Sequence, residues 1–132
     1  MAKTRILLVD DEQDSIDFVT AVLEGEDVEF LTAHDGEAGM KMARAEKPDL
    51  IILDVQMPKK DGFTVFAELR HDEDLRNIPV IMLTGISEKT GVGFSESIMG
   101  DLIGHTPDGY VEKPVEPAVL QATVNEVLAA RE

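Results

Sequence analysis

Residues Arg5 to Asp14 read RILLVDDEQD and place four apolar residues directly before a group of acids. The run Ile6 to Val9 is typical of a strand buried on both faces of a sheet. Asp10, Asp11 and Glu12 follow at its carboxyl end. Adjacent carboxylates repel one another, by about 1 kcal/mol at 4 Å in water and about 4 kcal/mol at an effective dielectric constant of 20. Such a group points to a functional site, because unfavourable features tend to be kept where function requires them.

Apolar runs and helical patterns alternate along the rest of the chain. A period of 3.6 in the segments after the strands predicts about five helices, and runs that are apolar throughout predict a parallel sheet covered on both faces. The predicted strands are Ile6 to Val9, Val28 to Ala33, Leu50 to Asp54, Pro79 to Thr84 and a short one within Gly109 to Pro114. The predicted buried helix residues are Ile16, Val19, Val22 and Leu23; Gly39, Met40 and Ala43; Phe63, Val65, Phe66 and Leu69; and Leu120, Val124, Val127 and Leu128.

Glycine and proline mark the predicted boundaries. Gly25 ends the first helix, the second stops before Pro48, and Pro117 suits the first turn of the last. The pairs Asp35–Gly36 and Asp61–Gly62 are predicted turns. The fold class is therefore α/β, in a single domain over residues 1–132.

The composition restricts the function. The chain has 132 residues, 43% of them apolar and 30% charged, and contains no cysteine, which excludes disulfides and thiolate metal sites. The N-terminus has no apolar signal segment and no apolar run is long enough to span a membrane, so we expect a cytoplasmic protein. With 12 basic and 27 acidic residues, the net charge of −15 argues against nucleic-acid and anionic-membrane partners.

Reactive side chains stand at the carboxyl ends of four predicted strands. Asp10 and Asp11 follow the first, Asp54 ends the third, Thr84 ends the fourth, and Lys113 follows the fifth. These ends meet at one edge of a parallel sheet, where ligands bind. Oxygen ligands without cysteine favour Mg²⁺, and a carboxylate can act as a nucleophile that forms an aspartyl phosphate. A lysine, a hydroxyl and the metal would supply the positioning and charge neutralisation that phosphoryl transfer needs.

The segments LLVDDE, LIILDVQMPKKDG, VIMLTG and GYVEKP, in this order, resemble the receiver domain of bacterial two-component response regulators. The resemblance covers essentially the whole chain. It implies the flavodoxin-like receiver fold, with a five-stranded sheet of order 2-1-3-4-5 and helices on both faces.

The resemblance implies a phosphorylation site. Asp54 matches the residue that accepts a phosphoryl group from the phosphohistidine of a sensor kinase. Asp10 and Asp11 match the metal-binding acids, and Asp54 and the backbone carbonyl of Gln56 complete the protein ligands of Mg²⁺.

The resemblance also implies the response to phosphorylation. Thr84 matches the residue that moves toward the phosphoryl group, and Lys113 matches the lysine that pairs with it. The bond before the residue matching Pro114 is usually cis in this family. Tyr110 matches the switch aromatic, although a lone tyrosine at this place is also typical of ordinary packing. Gly85 stands where a small residue, usually alanine, is expected, and makes the loop more flexible.

The segment 85–109 is longer than is typical of receivers and rich in glycine. Phe94, Ile98 and Leu102 recur at a spacing of four, which favours a fourth helix around Val92 to Ile103. In receivers this helix, the fifth strand and the fifth helix form the face that reports phosphorylation. We expect the segment to make that face specific to one partner, or to be mobile until phosphorylation.

The favoured function is a phospho-acceptor switch rather than an enzyme, apart from self-dephosphorylation of the family type. The chain ends after its last helix, so we expect no output domain; the signal would leave by contact with a protein partner, by phosphorylation-dependent dimerisation of a monomer, or through a histidine phosphotransfer protein. The alternatives are a receiver-like interaction module that works without phosphate and a Mg²⁺-dependent aspartyl-phosphate phosphatase. Gln56 weakens the latter, because it stands where such phosphatases carry an acid/base aspartate. A flavodoxin-like cofactor binder is disfavoured, since no strand end carries a phosphate-binding loop.

Overall fold

Strands and helices alternate in the computed structural model, which describes residues 3–57, 60–84 and 107–131. The N-terminal half of the described chain contains β1, α1, β2, α2 and β3, and the remainder contains α3, β4, β5 and a C-terminal helix. In chain order their bounds are β1 Thr4–Val9, α1 Gln13–Leu23, β2 Val28–Ala33, α2 Gly36–Glu46, β3 Leu50–Asp54, α3 Gly62–His71, β4 Val80–Thr84, β5 Gly109–Glu112 and the C-terminal helix Pro117–Arg131.

The five strands form one parallel sheet of order β2-β1-β3-β4-β5, as predicted. Val9 at the end of β1 stands beside Ala33 of β2 and Leu53 of β3. Asp54 at the end of β3 stands beside Leu83 of β4. The strands therefore end nearly level, and the residues that follow them share one edge of the molecule.

Alternate residues of the buried strands feed two separate cores, which explains why the runs are apolar throughout. Leu7, Val9, Ile51 and Leu53 face α2 and α3, while their neighbours face α1 and the C-terminal helix. The first core also includes Met40, Ala43, Val65, Phe66, Leu69, Val80 and Met82; the second includes Ile6, Leu8, Ile16, Val19, Leu50, Ile52, Ile81, Leu83, Val111, Leu120, Val124 and Val127. The predicted two-faced sheet is confirmed. In the described ranges, no helix combines the length and apolar character needed to cross a bilayer.

The two Asp–Gly pairs begin helices instead of forming the separate turns predicted from the sequence. The carboxylate of Asp35 accepts a hydrogen bond from the backbone N–H of Ala38, and that of Asp61 accepts one from Thr64, each at 2.8 Å. Both aspartates are thus N-caps, which satisfy amide groups that the first turn of a helix leaves without partners. The prediction was wrong because aspartate favours turns and helix starts for the same reason: its side chain bonds nearby backbone.

Smaller differences concern the strand boundaries. β4 begins at Val80 rather than at Pro79, which has no N–H to donate to a neighbouring strand. The carbonyl of Pro79 still accepts a hydrogen bond from Ile51 at 3.0 Å. The predictions about Gly85 and a fourth helix over Val92 to Ile103 concern positions outside the described residues.

Candidate functional site

Three of the predicted site residues meet in direct contact at the carboxyl edge of the sheet. Lys113, just after β5, donates from Nζ to Oδ1 of Asp54 at 2.8 Å, and its Nζ lies 3.8 Å from Oδ2 of Asp10. Asp10 and Asp54 are each only 3% exposed. Two buried carboxylates thus share one ammonium group, which leaves negative charge in excess.

The surroundings of Asp54 disfavour the ionised form of its carboxyl group. Burial, which disfavours the ionised form, raises the pKa of Asp54 to about 6, although the hydrogen bond from Lys113 acts in the opposite direction. The nearby charge of Asp10 raises the pKa further. Burial alone would lower the pKa of Lys113, but its hydrogen bond and attraction to Asp54 outweigh this and leave that pKa raised. The site therefore holds a charged lysine beside a carboxylate that a second positive charge would stabilise.

Asp10 has one satisfied and one unsatisfied oxygen. Its Oδ1 accepts a hydrogen bond from the backbone N–H of Glu12 at 3.0 Å. Its Oδ2 is buried and has no hydrogen-bond partner. Burial raises the pKa of Asp10, partly offset by the bond from Glu12. A buried carboxylate oxygen without a donor is costly, and a cation beside it would remove that cost.

A metal-ligand group forms at this edge. Carboxylate oxygens of Asp10, Asp11 and Glu12, which we call the acidic cluster, lie within 4.8 Å of one another. Asp11 and Glu12 are exposed whereas Asp10 is buried, so the cluster extends from the buried site to the surface. The sequence analysis counted Glu12 among the acids that point to a functional site but assigned only Asp10 and Asp11 of this cluster to the metal. Hard oxygen ligands of this kind fit Mg²⁺.

The remaining predicted residues lie around this centre at different distances from the chemistry. Thr84 is half-buried at the end of β4, and its backbone carbonyl accepts a hydrogen bond from the N–H of Lys113 at 2.7 Å. Gln56 is exposed, two residues beyond Asp54. The Lys113–Pro114 peptide bond is cis. Tyr110 is half-buried, and its side chain packs against the core formed with α2 and α3.

Two glycines let the starts of α2 and α3 pack closely against the backbone of Lys60 and Asp54, a role that the sequence prediction did not assign. A Cβ at Gly62 would collide with the backbone oxygen of Asp54, and a Cβ at Gly36 would lie 2.8 Å from the backbone oxygen of Lys60. The N–H of Gly62 donates to the carbonyl of Val55 at 2.9 Å. Only a residue without a side chain fits at Gly62, since the contact is with rigid backbone. The start of α3 is thus packed directly against the residue that carries the reactive carboxylate.

An apolar cavity adjoins the centre. It lies between α1, the end of β4 and the segment that joins β5 to the C-terminal helix, and its lining includes Phe18, Leu83, Lys113, Pro114 and Val115. Phe18 is 42% exposed and, with Val119, is one of two exposed large apolar side chains in the part of the chain that the structure describes. The cavity gives the polar site an apolar border.

The family model for the response regulator receiver domain matches residues 6–125. This chain belongs to that family. The receiver is 37% identical over 128 residues to the alkaline phosphatase synthesis transcriptional regulatory protein PhoP of Bacillus subtilis, covering 97% of this chain and 50% of PhoP. It is 38% identical over 120 residues to the response regulator PleD of Caulobacter vibrioides, covering 91% of this chain and 25% of PleD. The chain thus spans half or less of the length of these relatives.

Solved structures agree with this assignment. A putative response regulator from Chloroflexus aurantiacus superposes with a TM-score of 0.81 at 30% identity, over 96% of this chain and 98% of that one. The chemotaxis response regulator CheY4 of Vibrio cholerae superposes with a TM-score of 0.79 at 29% identity, over 96% and 99% of the two chains. The resemblance inferred from the four sequence segments is confirmed. Receiver domains are signalling phospho-acceptors of two-component systems that interact with sensor kinases and downstream effectors.

Proposed function

We propose that this receiver is a phosphorylation-dependent signalling switch in a two-component phosphorelay, in which Asp54 accepts a phosphoryl group from a sensor histidine kinase or a histidine phosphotransfer protein. The observation that carries the proposal is the buried Asp54 carboxylate, held at 2.8 Å by Lys113 beside a second buried carboxylate. An ion pair kept for stability would balance these charges. Here the acids outnumber the lysine, and this excess of negative charge is expected of a site that binds a divalent cation together with a phosphoryl group.

The reaction moves a phosphoryl group from nitrogen to oxygen. An oxygen of ionised Asp54 attacks the phosphorus of a phosphohistidine, the O–P bond forms as the P–N bond breaks, and the imidazole leaves with the bond electrons. Lys113 already binds Oδ1, so Oδ2 is the oxygen we assign to the attack. Once the carboxylate has become an acyl phosphate, the ammonium of Lys113 is close enough to pair with a phosphoryl oxygen. The hydroxyl of Thr84 is assigned to another of these oxygens.

The residues present fit Mg²⁺. Asp10, Asp11, Asp54 and the backbone carbonyl of Gln56 are the protein groups we assign to the ion, and the unsatisfied Oδ2 of Asp10 is the structural reason. When bound, the ion supplies positive charge for the phosphoryl oxygens and offsets repulsion among the acids. Asp10 and Asp11 would hold it from the end of β1, where the hydrogen bond from Glu12 fixes Asp10.

The donor protein approaches, in this proposal, along the apolar cavity between α1 and the segment that follows β5. Phe18 and Pro114 border the cavity next to Lys113 and offer apolar surface to a docking protein. We also propose that the protein is cytoplasmic, as predicted from its sequence.

The output proposed for the switch is a change on the face that β5 and the C-terminal helix would form with the fourth helix predicted from the sequence. Thr84 and Tyr110 lie on adjacent strands, and movement of Thr84 toward the phosphoryl group would give the Tyr110 ring room to turn inward. The altered face then binds a protein partner or a second copy of the receiver. Output through such contact alone, without an attached output domain, stays a prediction.

The test is the intact mass of the protein after incubation with Mg²⁺ and acetyl phosphate, a small acyl-phosphate donor. The wild type should gain one phosphoryl group, and Asp54→Asn, which keeps the size of the side chain, should gain none. Chelation of Mg²⁺ should abolish the gain. A wild type that gains nothing when sampled within seconds, or an Asp54→Asn variant that gains as much as the wild type, would contradict the assignment and favour an interaction module that works without phosphate.

A further inference from the structure

We propose that Glu12 is a third carboxylate of the cation site and strengthens its hold on the divalent ion. This inference rests on the proposed function, since it concerns the same magnesium site. It adds a residue that neither the sequence prediction nor the assignment of ligands by resemblance included. The juxtaposition that carries it is a carboxylate oxygen of Glu12 within 4.8 Å of oxygens from both Asp10 and Asp11.

The backbone fixes Glu12 at this place. Its N–H donates to Oδ1 of Asp10 at 3.0 Å, and its carbonyl accepts a hydrogen bond from the N–H of Ile16 at 3.2 Å in the first turn of α1. Glu12 is therefore tied to Asp10 on one side and to a helix on the other. Because the backbone of Glu12 is held in this way, only rotation about its side-chain bonds can move its carboxylate away from the cluster.

The side chain of Glu12 is not used by the helix that it precedes. Glu12 is the N-cap of α1, yet its side chain makes no capping hydrogen bond, in contrast to Asp35 and Asp61 at the starts of α2 and α3. An N-cap carboxylate usually accepts a hydrogen bond from the helix amides. The acid at this one helix start is thus left available to a ligand.

An independent observation shows that the cluster faces a position for a cation. Oδ2 of Asp10 is buried and has no hydrogen-bond partner, while the other oxygen of the same carboxylate is satisfied by Glu12. The only ammonium group close to Oδ2 among the described residues, that of Lys113, is 3.8 Å away and is hydrogen-bonded to Asp54. A divalent ion in contact with this oxygen would end its desolvation cost. The same ion would come within reach of Glu12, either directly or through a bound water.

The charge of Glu12 already acts on the site. It raises the pKa of Asp10 and that of Lys113, although it is a smaller contributor than burial for both groups. Magnesium sites typically use one or two carboxylates and keep several waters, and the charge of the ligand set tunes cation affinity. Acids just outside the direct ligands also matter, because loss of such a partner costs about 10- to 100-fold in metal affinity. Glu12, exposed at the outer side of the cluster, suits that place.

The experiment is a titration of the full chain with Mn²⁺, followed by the electron paramagnetic resonance signal of the free ion, with Mg²⁺ as competitor. Glu12→Gln keeps the size of the side chain and removes its charge, so it should weaken the binding of both ions by about tenfold or more. Asp14→Asn is the matched control, because Asp14 is an exposed acid in the first turn of the same helix and lies outside the acidic cluster. It should change the affinity by less than roughly twofold, as expected for a screened charge outside the site.

Asp11→Asn separates failure of this inference from failure of the proposed site. If Asp11→Asn abolishes binding but Glu12→Gln binds like the wild type, the magnesium site stands and the role of Glu12 is overturned. An equal loss for Glu12→Gln and Asp14→Asn also overturns it, because the effect would then be that of net charge alone. If Asp11→Asn binds as tightly as the wild type, the cation site itself is not at this edge, and both proposals fail.

Discussion

The two edges of the sheet carry charged residues in opposite arrangements. At the amino edge, where the strands begin, acids and arginines are paired. At the carboxyl edge, four acids surround one lysine, and two of these acids are buried. Charges that serve stability are matched with partners, whereas the unmatched charges mark the place where the protein binds a cation and a phosphoryl group in the function proposed here.

At the amino edge, one arginine contacts acids from several elements. Arg5 makes ion pairs with Glu29 and Glu46, and its backbone N–H donates to the carboxylate of Asp49 at 2.8 Å. These contacts join the start of β1 to β2, to the end of α2 and to the residue before β3. Arg5 therefore has several acidic partners at this edge, and the bonds cross between elements that are distant in sequence.

The carboxyl edge lacks this balance. The Lys113 ammonium binds Asp54 and lies near Asp10, while the remaining acids of the cluster face solvent. Burial raises the pKa of Asp54 to about 6, which is the clearest mark that its charge is held at a cost. In the metal-free protein, the unbalanced charge at this edge therefore lowers the stability of the folded state. Removal of the charge of Asp54 should then raise the free energy of unfolding.

Asp54→Asn should make the metal-free protein more stable at pH 7. The folded state raises the pKa of Asp54 from its ordinary value of 3.8 to about 6, which corresponds to about 3 kcal/mol held against folding when the group is ionised. Asparagine removes that cost, and Lys113 keeps Asp10 as a partner. Urea denaturation in the presence of a chelator measures the difference. If the variant is no more stable than the wild type, the carboxyl edge does not destabilise the fold, and the proposed difference between the two edges is wrong.

The pH dependence sharpens the same prediction. Because the folded pKa of Asp54 lies above the unfolded one, the folded protein binds more protons between pH 4 and pH 6, and this group's contribution to stability is lost as the pH rises through about 6. The advantage of Asp54→Asn should thus vanish near pH 4 and be complete by pH 7. An advantage of the same size at both pH values would show that another effect, such as altered packing, is responsible.

Mg²⁺ should stabilise the wild type, because the ion binds the folded site and relieves its repulsion. At a free concentration of one hundred times the dissociation constant, linkage gives about 2.7 kcal/mol. Asp11→Asn should show a much smaller increase at the same concentration. Denaturation series with and without the ion measure both. If Mg²⁺ does not change the free energy of unfolding of the wild type, or changes it equally for both proteins, the metal site is not at this edge. The excess of negative charge there would then have no explanation.

The sequence predicted most of this contrast at the carboxyl edge. Five apolar runs located the strands to within two residues, and parallel order then required that Asp10, Asp54 and Lys113 meet, which they do at 2.8 and 3.8 Å. Such a prediction succeeds because strand ends are set by backbone geometry. It needs no knowledge of which side chains pack where.

The remaining features depend on distances that no sequence pattern specifies. The unsatisfied Oδ2 of Asp10 and the close approach of Gly62 to Asp54 arise from tertiary packing. The amino edge was not predicted either, since Arg70 and Asp108 are separated by 38 residues and neither has a motif around it. The Asp–Gly pairs were misread for a local reason, because aspartate bonds nearby amides both in turns and at helix starts.

Arg70→Met tests the amino edge, and we expect the smallest effect there. The Arg70 side chain, 9% exposed, pairs with Asp108 at 2.7 Å, donates to the carbonyl of Ile78 at 2.9 Å and lies 4.6 Å from the ring of Phe66. These bonds tie α3 to the residues before β4 and β5, so their loss should cost about 2 kcal/mol of unfolding free energy.

Arg44→Met is the control, since its 3.6 Å pair with Asp72 is exposed and should contribute at most about 0.5 kcal/mol. Phosphoryl uptake by Arg70→Met, measured by intact mass with Mg²⁺ and acetyl phosphate, should equal that of the wild type, because Arg70 is at the edge opposite Asp54. Equal stability of the two arginine variants would show that the paired charges at the amino edge are incidental. A loss of phosphoryl uptake would show that the two edges are coupled through β5, which begins beside Asp108 and leads to Lys113. The division of the sheet into a stabilising edge and a reactive edge holds only if the variants separate stability from uptake.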